Sequence, residues 1–422
     1  MSSVNSRIET LSRHLSTGNT VDQLESNNVA APLGKNGDDI VLVAPFRTAI
    51  GKAKRGGFKE TGPDDLLAPV IKHILKTTGI DANLVGDVVI GTVLPRSSQG
   101  ATEVRVACLL AGLPVHVPCF TVNRQCSSGL QAIADVAGAI KMGQYEVGIA
   151  GGVESMSLNP MSWEGEFNEV ASNDPVMSGC YNTMGQTSEN VAERFGVTRE
   201  QQDEFAVASH KKAGAAQKAG KFRDEIVPVT VKTEDGQGKV IDQDEGIREQ
   251  TTIKDLAKLK PAFKPEGGTT TAGNSSQLSD GAAAVLVMKR STAQRLGLKI
   301  ALVLRTFTAV GVEPAIMGVG PAEAIPVAVK MAGLTLNDID VYEINEAFAS
   351  QALYSCKKLG LDMNKVNPNG SGIALGHPLG ATGARITATL YNELKRRNAR
   401  YGVVSMCIGT GMGAAAVFEY EN

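Results

Sequence analysis

A cysteine stands between a short apolar segment and a nearly uncharged helical segment, and this stretch constrains the possible folds more than any other. Residues 117–122 predict a short buried strand. Beyond Cys126, apolar residues recur at helical spacing from Leu130 to Ile140, and small residues occupy the other faces. A helix without a polar face is expected to be buried all round. The sequence therefore predicts a strand, a turn that carries a thiol, and a buried helix.

Two interpretations of Cys126 are open at this point. Free N–H groups and the dipole at a helix N-terminus stabilise a thiolate, the reactive form of cysteine, so this thiol should ionise more easily than usual. On that interpretation Cys126 is a nucleophile. Most free cysteines, however, are small apolar side chains of the core. The local pattern does not decide between the two.

Composition argues against several classes of protein. The chain has 422 residues, of which 42% are hydrophobic and 20% charged, as in an ordinary globular protein of two or three domains. A formal net charge of -2 gives no reason to expect a nucleic-acid partner. No apolar run approaches the roughly 18 residues of a membrane span. The six cysteines form no C-x-x-C pair and no zinc-like cluster, so we expect free thiols and no metal site.

Strand-like and helix-like segments alternate along most of the chain, which predicts an α/β fold with a mainly parallel sheet. The alternation weakens where Met, Asn, Gly and charged residues dominate, and a covering region is expected there. We therefore divide the chain into a mobile N-terminal targeting segment (1–37), an N-terminal half (38–157 plus 278–296), a loop domain (158–277) and a C-terminal half (297–422).

The later half contains a segment similar to the one around Cys126. The residues from Val122 to Gly129 align with those from Val366 to Gly372 when one residue is dropped, and a helix follows each segment. Each half also ends in a strand region punctuated by glycines. Two similar α/β halves explain this pattern, with a site where helix N-termini converge.

Further motifs in the later half carry residues capable of catalysis. His377 lies in a glycine-rich turn before a helix, where it has little core to pack into, and this favours a catalytic base over a structural role. Cys407 follows a buried strand and precedes glycines whose N–H groups can donate to an oxyanion. The segment 345–348 (N-E-A-F) follows another strand. Together these motifs predict one shared site.

With these motifs the sequence resembles the thiolase family, in particular its degradative peroxisomal branch. The resemblance extends from about residue 38 to residue 420 and rests on N-R-Q-C-S-S-G at 123–129, N-E-A-F at 345–348, G-H-P at 376–378 and C-I-G-T-G at 407–411. It implies two similar βαβ-type halves in a five-layered fold, with an inserted covering domain. It also implies thiolytic cleavage of a 3-ketoacyl-CoA by CoA, the last step of fatty-acid β-oxidation, which gives acetyl-CoA and a shortened acyl-CoA.

The resemblance also implies the catalytic residues. Cys126 attacks the 3-keto carbon and carries the acyl group, while His377 takes the thiol proton and contributes to an oxyanion hole. Cys407 acts as acid and base. Asn345 holds a water in the first oxyanion hole, and the backbone N–H groups of Cys126 and Gly409 form the second. The reaction needs no metal or redox cofactor, and CoA is a cosubstrate.

Contacts to CoA follow from the same resemblance. Ser276 is expected beside the pantetheine, Phe263 beside the adenine, and Met184 in the substrate channel. Biosynthetic members commonly carry a histidine where this chain has Thr183, which favours the degradative branch. A cationic patch around Phe263 could hold phosphates, although a solvated lysine face explains the same pattern. Its members are Lys254, Lys258, Lys260 and Lys264.

The N-terminal segment contains a pattern that resembles a peroxisomal address. Five residues separate Arg7 and Ile8 from His14 and Leu15, and on a helix Arg7, Leu11, His14 and Leu15 would share a face. A soluble import receptor is the expected partner. A mitochondrial presequence is the rival interpretation, although the acidic residues nearby count against it. The resemblance further implies a homodimer.

Other functions stay open beside the degradative one. A biosynthetic acetoacetyl-CoA thiolase would use the same catalytic groups, because the chemistry is reversible. A ketoacyl synthase would need two histidines near its cysteine, and the position occupied by Cys407 argues against it. A non-enzymatic acyl-CoA or sterol carrier would not need Cys126, His377 and Cys407 together. Cys180 has no role in the family pattern, so a redox lock with Cys126 and an inert thiol are both possible interpretations.

Overall fold

The computed structural model describes residues 34–163, 165–233 and 236–421; the predicted N-terminal address lies outside them. In chain order the strands are β1 (Ile40–Thr48), β2 (Gly51–Lys52), β3 (Asp87–Gly91), β4 (Cys119–Val122), β5 (Val147–Ser155), β6 (Ile226–Val227), β7 (Val229–Lys232), β8 (Gly238–Ile241), β9 (Ser279–Lys289), β10 (Leu302–Gly311), β11 (Val341–Ile344), β12 (Tyr401–Ile408) and β13 (Met412–Glu419). The helices are α1 (Pro63–Thr78), α2 (Gly100–Leu110), α3 (Ser128–Lys141), α4 (Glu169–Ser172), α5 (Met184–Phe195), α6 (Arg199–Lys218), α7 (Ile253–Ala257), α8 (Arg290–Arg295), α9 (Gly320–Met331), α10 (Ala349–Leu359), α11 (Gly372–Leu375) and α12 (Thr382–Arg397).

The large sheet contains the same strand order twice. One copy runs β1-β9-β5-β3-β4, and the other runs β10-β13-β12-β11 and continues to Val366, which forms an isolated bridge with Tyr342 of β11. The strands of the two copies correspond one for one in their order along the chain. Antiparallel pairing of β1 with β10 joins the copies at the centre. The predicted α/β fold with two similar halves is confirmed. The prediction of a mainly parallel sheet is wrong, because β9 and β13 each pair antiparallel with both of their neighbours in this strand order.

Helices α3 and α12 pack against each other and bring their N-termini together. Their apolar side chains share one core cluster with strands of both copies. Glycines permit the close approach: a Cβ on Gly129 would lie 2.6 Å from the carbonyl oxygen of Gly380, and one on Gly383 would lie 2.3 Å from the backbone nitrogen of Leu130. Because Cys126 precedes one helix and His377 the other, the fold brings the two predicted catalytic stretches to one place.

Two local predictions differ from the structure. The strand predicted at 117–122 begins at Cys119 and is only partly buried, with Phe120 44% exposed, because β4 is the last strand on its side of the sheet. Helix α3 is not buried all round either, since Gly138 and Lys141 near its C-terminus face solvent. Its N-terminal half is enclosed, and this is the half that bears on the site.

A buried ion cluster fixes the covering region to the sheet. Arg47 of β1 donates hydrogen bonds to Glu225 at 2.7 Å and to the two carboxylate oxygens of Asp244 at 2.7 and 2.9 Å, and all three residues are buried. Loss of one partner of such a cluster costs about 3–5 kcal/mol, because the remaining charge stays buried and unpaired.

Among the described residues, no helix combines the length and the apolar character that a membrane span requires.

Candidate active site

The turn before α3 holds Cys126 in a constrained position. Gln125 adopts a left-handed conformation with φ 48°, which is uncommon for a residue other than glycine. Ser128 stabilises the turn, because its hydroxyl accepts from the Arg124 N–H at 2.9 Å and donates to the Gln125 carbonyl at 2.6 Å. Cys126 is buried and packs against Met156. Backbone strain and hydrogen bonds therefore fix the thiol in place.

The ionisation of Cys126 differs from the sequence prediction. Burial raises the pKa of this thiol to about 11, and the nearby Glu154 carboxylate also raises it. The backbone N–H groups of Gly409 and of Cys126 itself approach the sulfur and lower the pKa by less. The helix N-terminus therefore does not produce a resident thiolate, because desolvation outweighs it. At neutral pH Cys126 is a thiol that needs a base.

His377 supplies a neutral imidazole close by. The backbone N–H of His377 donates to the Gln277 carbonyl at 3.1 Å, and the ring Nδ1 lies 2.7 Å from the hydroxyl oxygen of Thr382. The side chain is 5% exposed, so the prediction that it has little to pack into is wrong. Burial and, to a smaller extent, the positive charge of Arg385 together lower the pKa of His377 to about 3. The ring is therefore uncharged at neutral pH and able to accept a proton at Nε2.

Arg385 is a residue that sequence reasoning missed. It projects from α12, is 1% exposed, and places Nη2 3.4 Å from the carbonyl oxygen of Gly376, the residue before His377. Gly376 has φ 111°, which suits glycine alone. Arg385 therefore contacts the turn that carries the imidazole and also disfavours protonation of the ring. The only signal in the sequence is a cation within an otherwise apolar helix face.

Cys407 lies near the end of β12 and is almost fully buried. Its Sγ donates to Oε1 of Gln351 at 3.3 Å, a partner that the sequence did not predict. Burial raises the pKa of Cys407, and the proximity of Cys126 raises it further. Cys407 is consequently a protonated thiol that can serve as an acid. A Cβ on Gly409 would lie 3.8 Å from Cγ of Gln125, so the loop after Cys407 meets the turn that carries Cys126.

The segment after β11 adds an amide to this site. Nδ2 of Asn345 lies 3.3 and 3.4 Å from the ring nitrogens of His377. Oδ1 of Asn345 is buried and has no hydrogen-bond partner among the described residues, which is the environment that a bound water needs. Ser276 N–H donates to the Ala347 carbonyl at 2.9 Å, so the predicted pantetheine contact lies beside this segment.

Met184 and Phe263 lie on one side of the site. Met184 packs against the apolar cluster that contains Cys407 and Phe348. A Cβ on Gly409 would lie 3.6 Å from the Met184 sulfur. Phe263 is 41% exposed, packs on Gly185 and meets Phe348 edge to face at 6.2 Å. The structure therefore places both residues beside the apolar cluster that contains Cys407 and Phe348.

The predicted cationic patch around Phe263 is partly paired. Lys264 forms an ion pair with Glu193 at 2.8 Å, and Lys258 pairs with Asp255 at 3.5 Å. Both contacts are exposed, where ion pairs are weak. Both interpretations of the patch, a phosphate contact and a solvated lysine face, therefore stay open.

Glu154 joins the two halves of the site. The buried carboxylate accepts from the Leu94 N–H at 2.8 Å, the Val93 N–H at 3.0 Å, the Thr92 hydroxyl at 3.1 Å and the Gly380 N–H at 2.8 Å. Three of these donors come from the loop after β3, and the fourth comes from the turn after His377. One carboxylate thus holds both loops against Cys126.

We expect Glu154→Gln to lower the free energy of unfolding by about 2–3 kcal/mol, because an amide NH₂ group replaces one acceptor and leaves a buried N–H unpaired. Urea unfolding measures the change. The matched control is Glu193→Gln, whose carboxylate is largely exposed and which should change stability by less than about 0.5 kcal/mol. Equal effects of the two substitutions would contradict this account of Glu154.

Cys180 lies beside the glycine loop after β12. Its Sγ is 3.8 Å from the carbonyl oxygen of Thr410, next to Gly409. The thiol is partly exposed and is free in this structure. A redox lock with Cys126 stays a hypothesis, as does the alternative of an inert thiol.

Comparison with known proteins places this geometry in a family. The model of the thiolase N-terminal domain matches residues 40–291, and that of the thiolase C-terminal domain matches residues 298–420. The chain belongs to the thiolase family. It is 60% identical to 3-ketoacyl-CoA thiolase 2, peroxisomal, of Arabidopsis thaliana over 390 residues, which are 91% of this chain and 84% of the relative.

Solved thiolase structures share the fold. The dimeric peroxisomal thiolase of Saccharomyces cerevisiae matches with a TM-score of 0.86 and 48% identity, over 92% of this chain and 99% of the other. The Bacillus anthracis acetyl-CoA acetyltransferase matches with a TM-score of 0.83 and 40% identity, over 94% of this chain and 100% of the other. Both the degradative and the acetyl-transferring kinds of thiolase therefore resemble this chain, and the peroxisomal one is the more similar of these two.

Proposed function

We propose that this thiolase cleaves 3-ketoacyl-CoA with CoA in the last step of peroxisomal fatty-acid β-oxidation. Its 3-ketoacyl-CoA thiolase relatives from plants and mammals, at 57–60% identity, are named peroxisomal. The observation that carries the chemistry is the convergence on buried Cys126 of two segments: the loop after buried Cys407, which meets Gln125, and the turn after His377, whose Leu379 packs with Cys126. A nucleophile, a base and a separate acid are what carbon–carbon cleavage by a thiol requires.

In the first half-reaction, Sγ of Cys126 attacks the 3-keto carbon and its proton passes to Nε2 of His377. The pKa values of about 11 for the thiol and about 3 for the imidazole disfavour a resting ion pair, so the proton moves as the carbon–sulfur bond forms. The bond between C2 and C3 then breaks, and its electron pair forms the enolate of acetyl-CoA. The Cys407 thiol protonates C2, which releases acetyl-CoA and leaves the acyl group on Cys126.

The second half-reaction reverses these roles. The Cys407 thiolate takes the proton of the incoming CoA thiol, and the CoA sulfur attacks the acyl carbon on Cys126. The Cys126 sulfur leaves and recovers its proton from His377. Because acetyl-CoA departs before CoA reacts, ping-pong kinetics should follow.

Two sets of donors stabilise the oxygens that gain charge. The N–H groups of Cys126 and Gly409, which approach the sulfur in this structure, are placed to donate to the tetrahedral oxyanion. His377 and a water held by Asn345 serve the thioester oxygen of the enolate. Loss of one such donor typically costs about 10² to 10³ in rate.

We expect CoA to act as cosubstrate without a resident metal or redox cofactor. Ser276, Phe263 and Met184 would line its path. The polar N-terminal segment would deliver the protein to the peroxisomal matrix through an import receptor that reads Arg7 and Leu15 with their neighbours. Truncation of that segment, followed by imaging of a fluorescent fusion, tests this address; import of the truncated form would contradict it.

A homodimer is the proposed assembly. The similar yeast enzyme is described as dimeric. The edge strand β4 of this chain leaves backbone groups open for pairing, and apolar side chains are exposed beside it. They are Val106, Leu109, Leu110, Val115 and Phe120. Unprotected apolar edges of this kind are normally covered.

Cleavage rates along a series of 3-ketoacyl-CoAs test the proposed function. We expect CoA-dependent turnover of every chain length between acetoacetyl-CoA and 3-ketopalmitoyl-CoA. Double-reciprocal plots of the initial rate should give parallel lines when CoA and substrate are varied. Activity confined to acetoacetyl-CoA would favour the biosynthetic alternative, which its similarity to the Bacillus enzyme supports. Binding without turnover of any member would favour a carrier.

The pH dependence tests the part assigned to Arg385. A protonated imidazole cannot accept the thiol proton, so kcat/KM falls as the pH falls through the pKa of His377. Arg385→Met removes one cause of the lowered pKa, so the acidic limb of the pH profile should move to higher pH. Arg385→Lys keeps the charge and should leave the limb near its original position. The double variant Arg385→Met with Glu343→Gln also removes Glu343, one of the acidic groups that act on Arg385, so that this carboxyl group is not left buried without the arginine. An unmoved limb in both methionine variants would contradict this role.

A further inference from the structure

An exposed aromatic cluster lies on the segment between β5 and α5. Trp163, Phe167 and Tyr181 contact one another, with ring centroids 4.5 Å apart for Phe167 and Tyr181, 5.0 Å for Trp163 and Phe167, and 5.4 Å for Trp163 and Tyr181. Trp163 is nevertheless 59% exposed and Phe167 49% exposed. We call these three residues the aromatic surface. A contiguous exposed apolar surface of this kind marks a binding site more often than a single exposed residue does.

Both ends of this segment are attached to the catalytic site. At one end Met156 packs against Cys126, and the Ser157 N–H donates to Asp280 of β9 at 2.8 Å. At the other end Cys180, adjacent to Tyr181, contacts the carbonyl oxygen of Thr410 beside the oxyanion loop. The aromatic surface is therefore continuous along the chain with the nucleophile on one side and with the Gly409 loop on the other.

We propose that the aromatic surface binds the distal part of long acyl chains during thiolysis. This inference rests on the proposed function and names the substrates it favours, which are medium-chain and long-chain 3-ketoacyl-CoAs. Cys126 is buried, so a long chain attached to it must extend beyond the catalytic residues, and its methylene groups gain by leaving water. Flat aromatic faces suit a flexible hydrocarbon chain because they offer apolar area at little cost in conformational entropy. A short acyl group ends before it reaches them.

Chain-length kinetics test the proposal. Phe167→Ala and Trp163→Ala should lower kcat/KM for 3-ketopalmitoyl-CoA about tenfold, as expected from losing contact with roughly 50 Å² of apolar surface. Most of the change should appear in KM, while rates with acetoacetyl-CoA change less than about twofold. The control is Met142→Ala, which removes a side chain that is 80% exposed at the far end of α3 and should alter neither substrate.

The tryptophan also provides a direct signal, because Trp163 is the only tryptophan in the chain. Palmitoyl-CoA should shift its fluorescence emission to shorter wavelength, and an excess of CoA should reverse the shift by competition. Butyryl-CoA and CoA alone should leave the emission unchanged. The same titration with Phe167→Ala should need a higher concentration of palmitoyl-CoA.

Several results would overturn the proposal while leaving the proposed function intact. Equal losses for short and long substrates would assign the cluster a structural role, and unchanged kinetics for both would remove it from substrate binding. A change from dimer to monomer in Trp163→Ala, measured by analytical ultracentrifugation, would show that a second copy covers this surface. The proposed function itself fails only if the wild-type protein cleaves none of the 3-ketoacyl-CoAs.

Discussion

Cys126→Ala is expected to abolish cleavage of 3-ketoacyl-CoA, with kcat reduced by about 10⁴-fold or more. The thiol forms the covalent bond that divides the reaction into two steps, and no neighbouring group can replace it, because the Cys407 thiol is hydrogen-bonded to Gln351 and stays protonated. Steady-state rates with 3-ketohexanoyl-CoA and CoA measure the loss. Binding of CoA should persist, since the substitution leaves the proposed CoA contacts in place.

The matched control for this variant is Cys356→Ala. Cys356 is also a buried cysteine, but it lies in the core of the C-terminal half on α10. Its loss should cost about 1 kcal/mol of stability and change kcat by less than about twofold. Comparable losses of activity in the two variants would contradict a nucleophilic role for Cys126 and would indicate a general sensitivity to cavities.

Cys407→Ala is expected to reduce the first half-reaction by about 10³-fold, within the usual range for general acid–base catalysis. Without this thiol the enolate of acetyl-CoA has no proton donor at C2. Rapid-mixing experiments without CoA should therefore show no burst of acetyl-CoA. Exchange of the C2 protons of acetyl-CoA with deuterated solvent should fall by a similar factor, which reports on the acid–base step alone.

Cys180→Ala is the control for Cys407, because its thiol also lies beside the glycine loop but is partly exposed. Under reducing conditions the acetyl-CoA burst and the rate of C2 proton exchange in Cys180→Ala should match those of the wild type. A normal burst in Cys407→Ala would contradict the assignment of the acid and would require another donor at C2.

The parts of the fold that could be predicted from the sequence depend on local patterns. The apolar spacing after Cys126 predicts α3, and the similarity between the segments at Val122 and Val366 predicts two similar halves, because a duplicated strand order repeats its local signals. The glycine-rich turns at His377 and after Cys407 likewise indicate a shared site, since such turns bring backbone N–H groups into close approach. Each of these inferences needs only neighbouring residues.

The features that could not be predicted depend on contacts between distant parts of the chain. The pKa of Cys126 is raised because residues far away in the sequence, such as Met156, exclude water from the helix N-terminus, and local dipole arguments omit that cost. Arg385, Gln351 and Glu154 were missed because each acts on a catalytic group through a partner that only the fold supplies. The partial exposure of β4 follows from its place at the sheet edge.

In the proposed mechanism Cys126 carries the acyl group between the two half-reactions. Mixing the protein with 3-ketohexanoyl-CoA in the absence of CoA, followed by acid quenching and mass spectrometry of its peptides, tests this most directly. We predict one butyryl group on the peptide that contains Cys126, released on addition of CoA and missing in Cys126→Ala. A butyryl group on Cys407 or Cys180 instead, or turnover without any acylated peptide, would contradict the account.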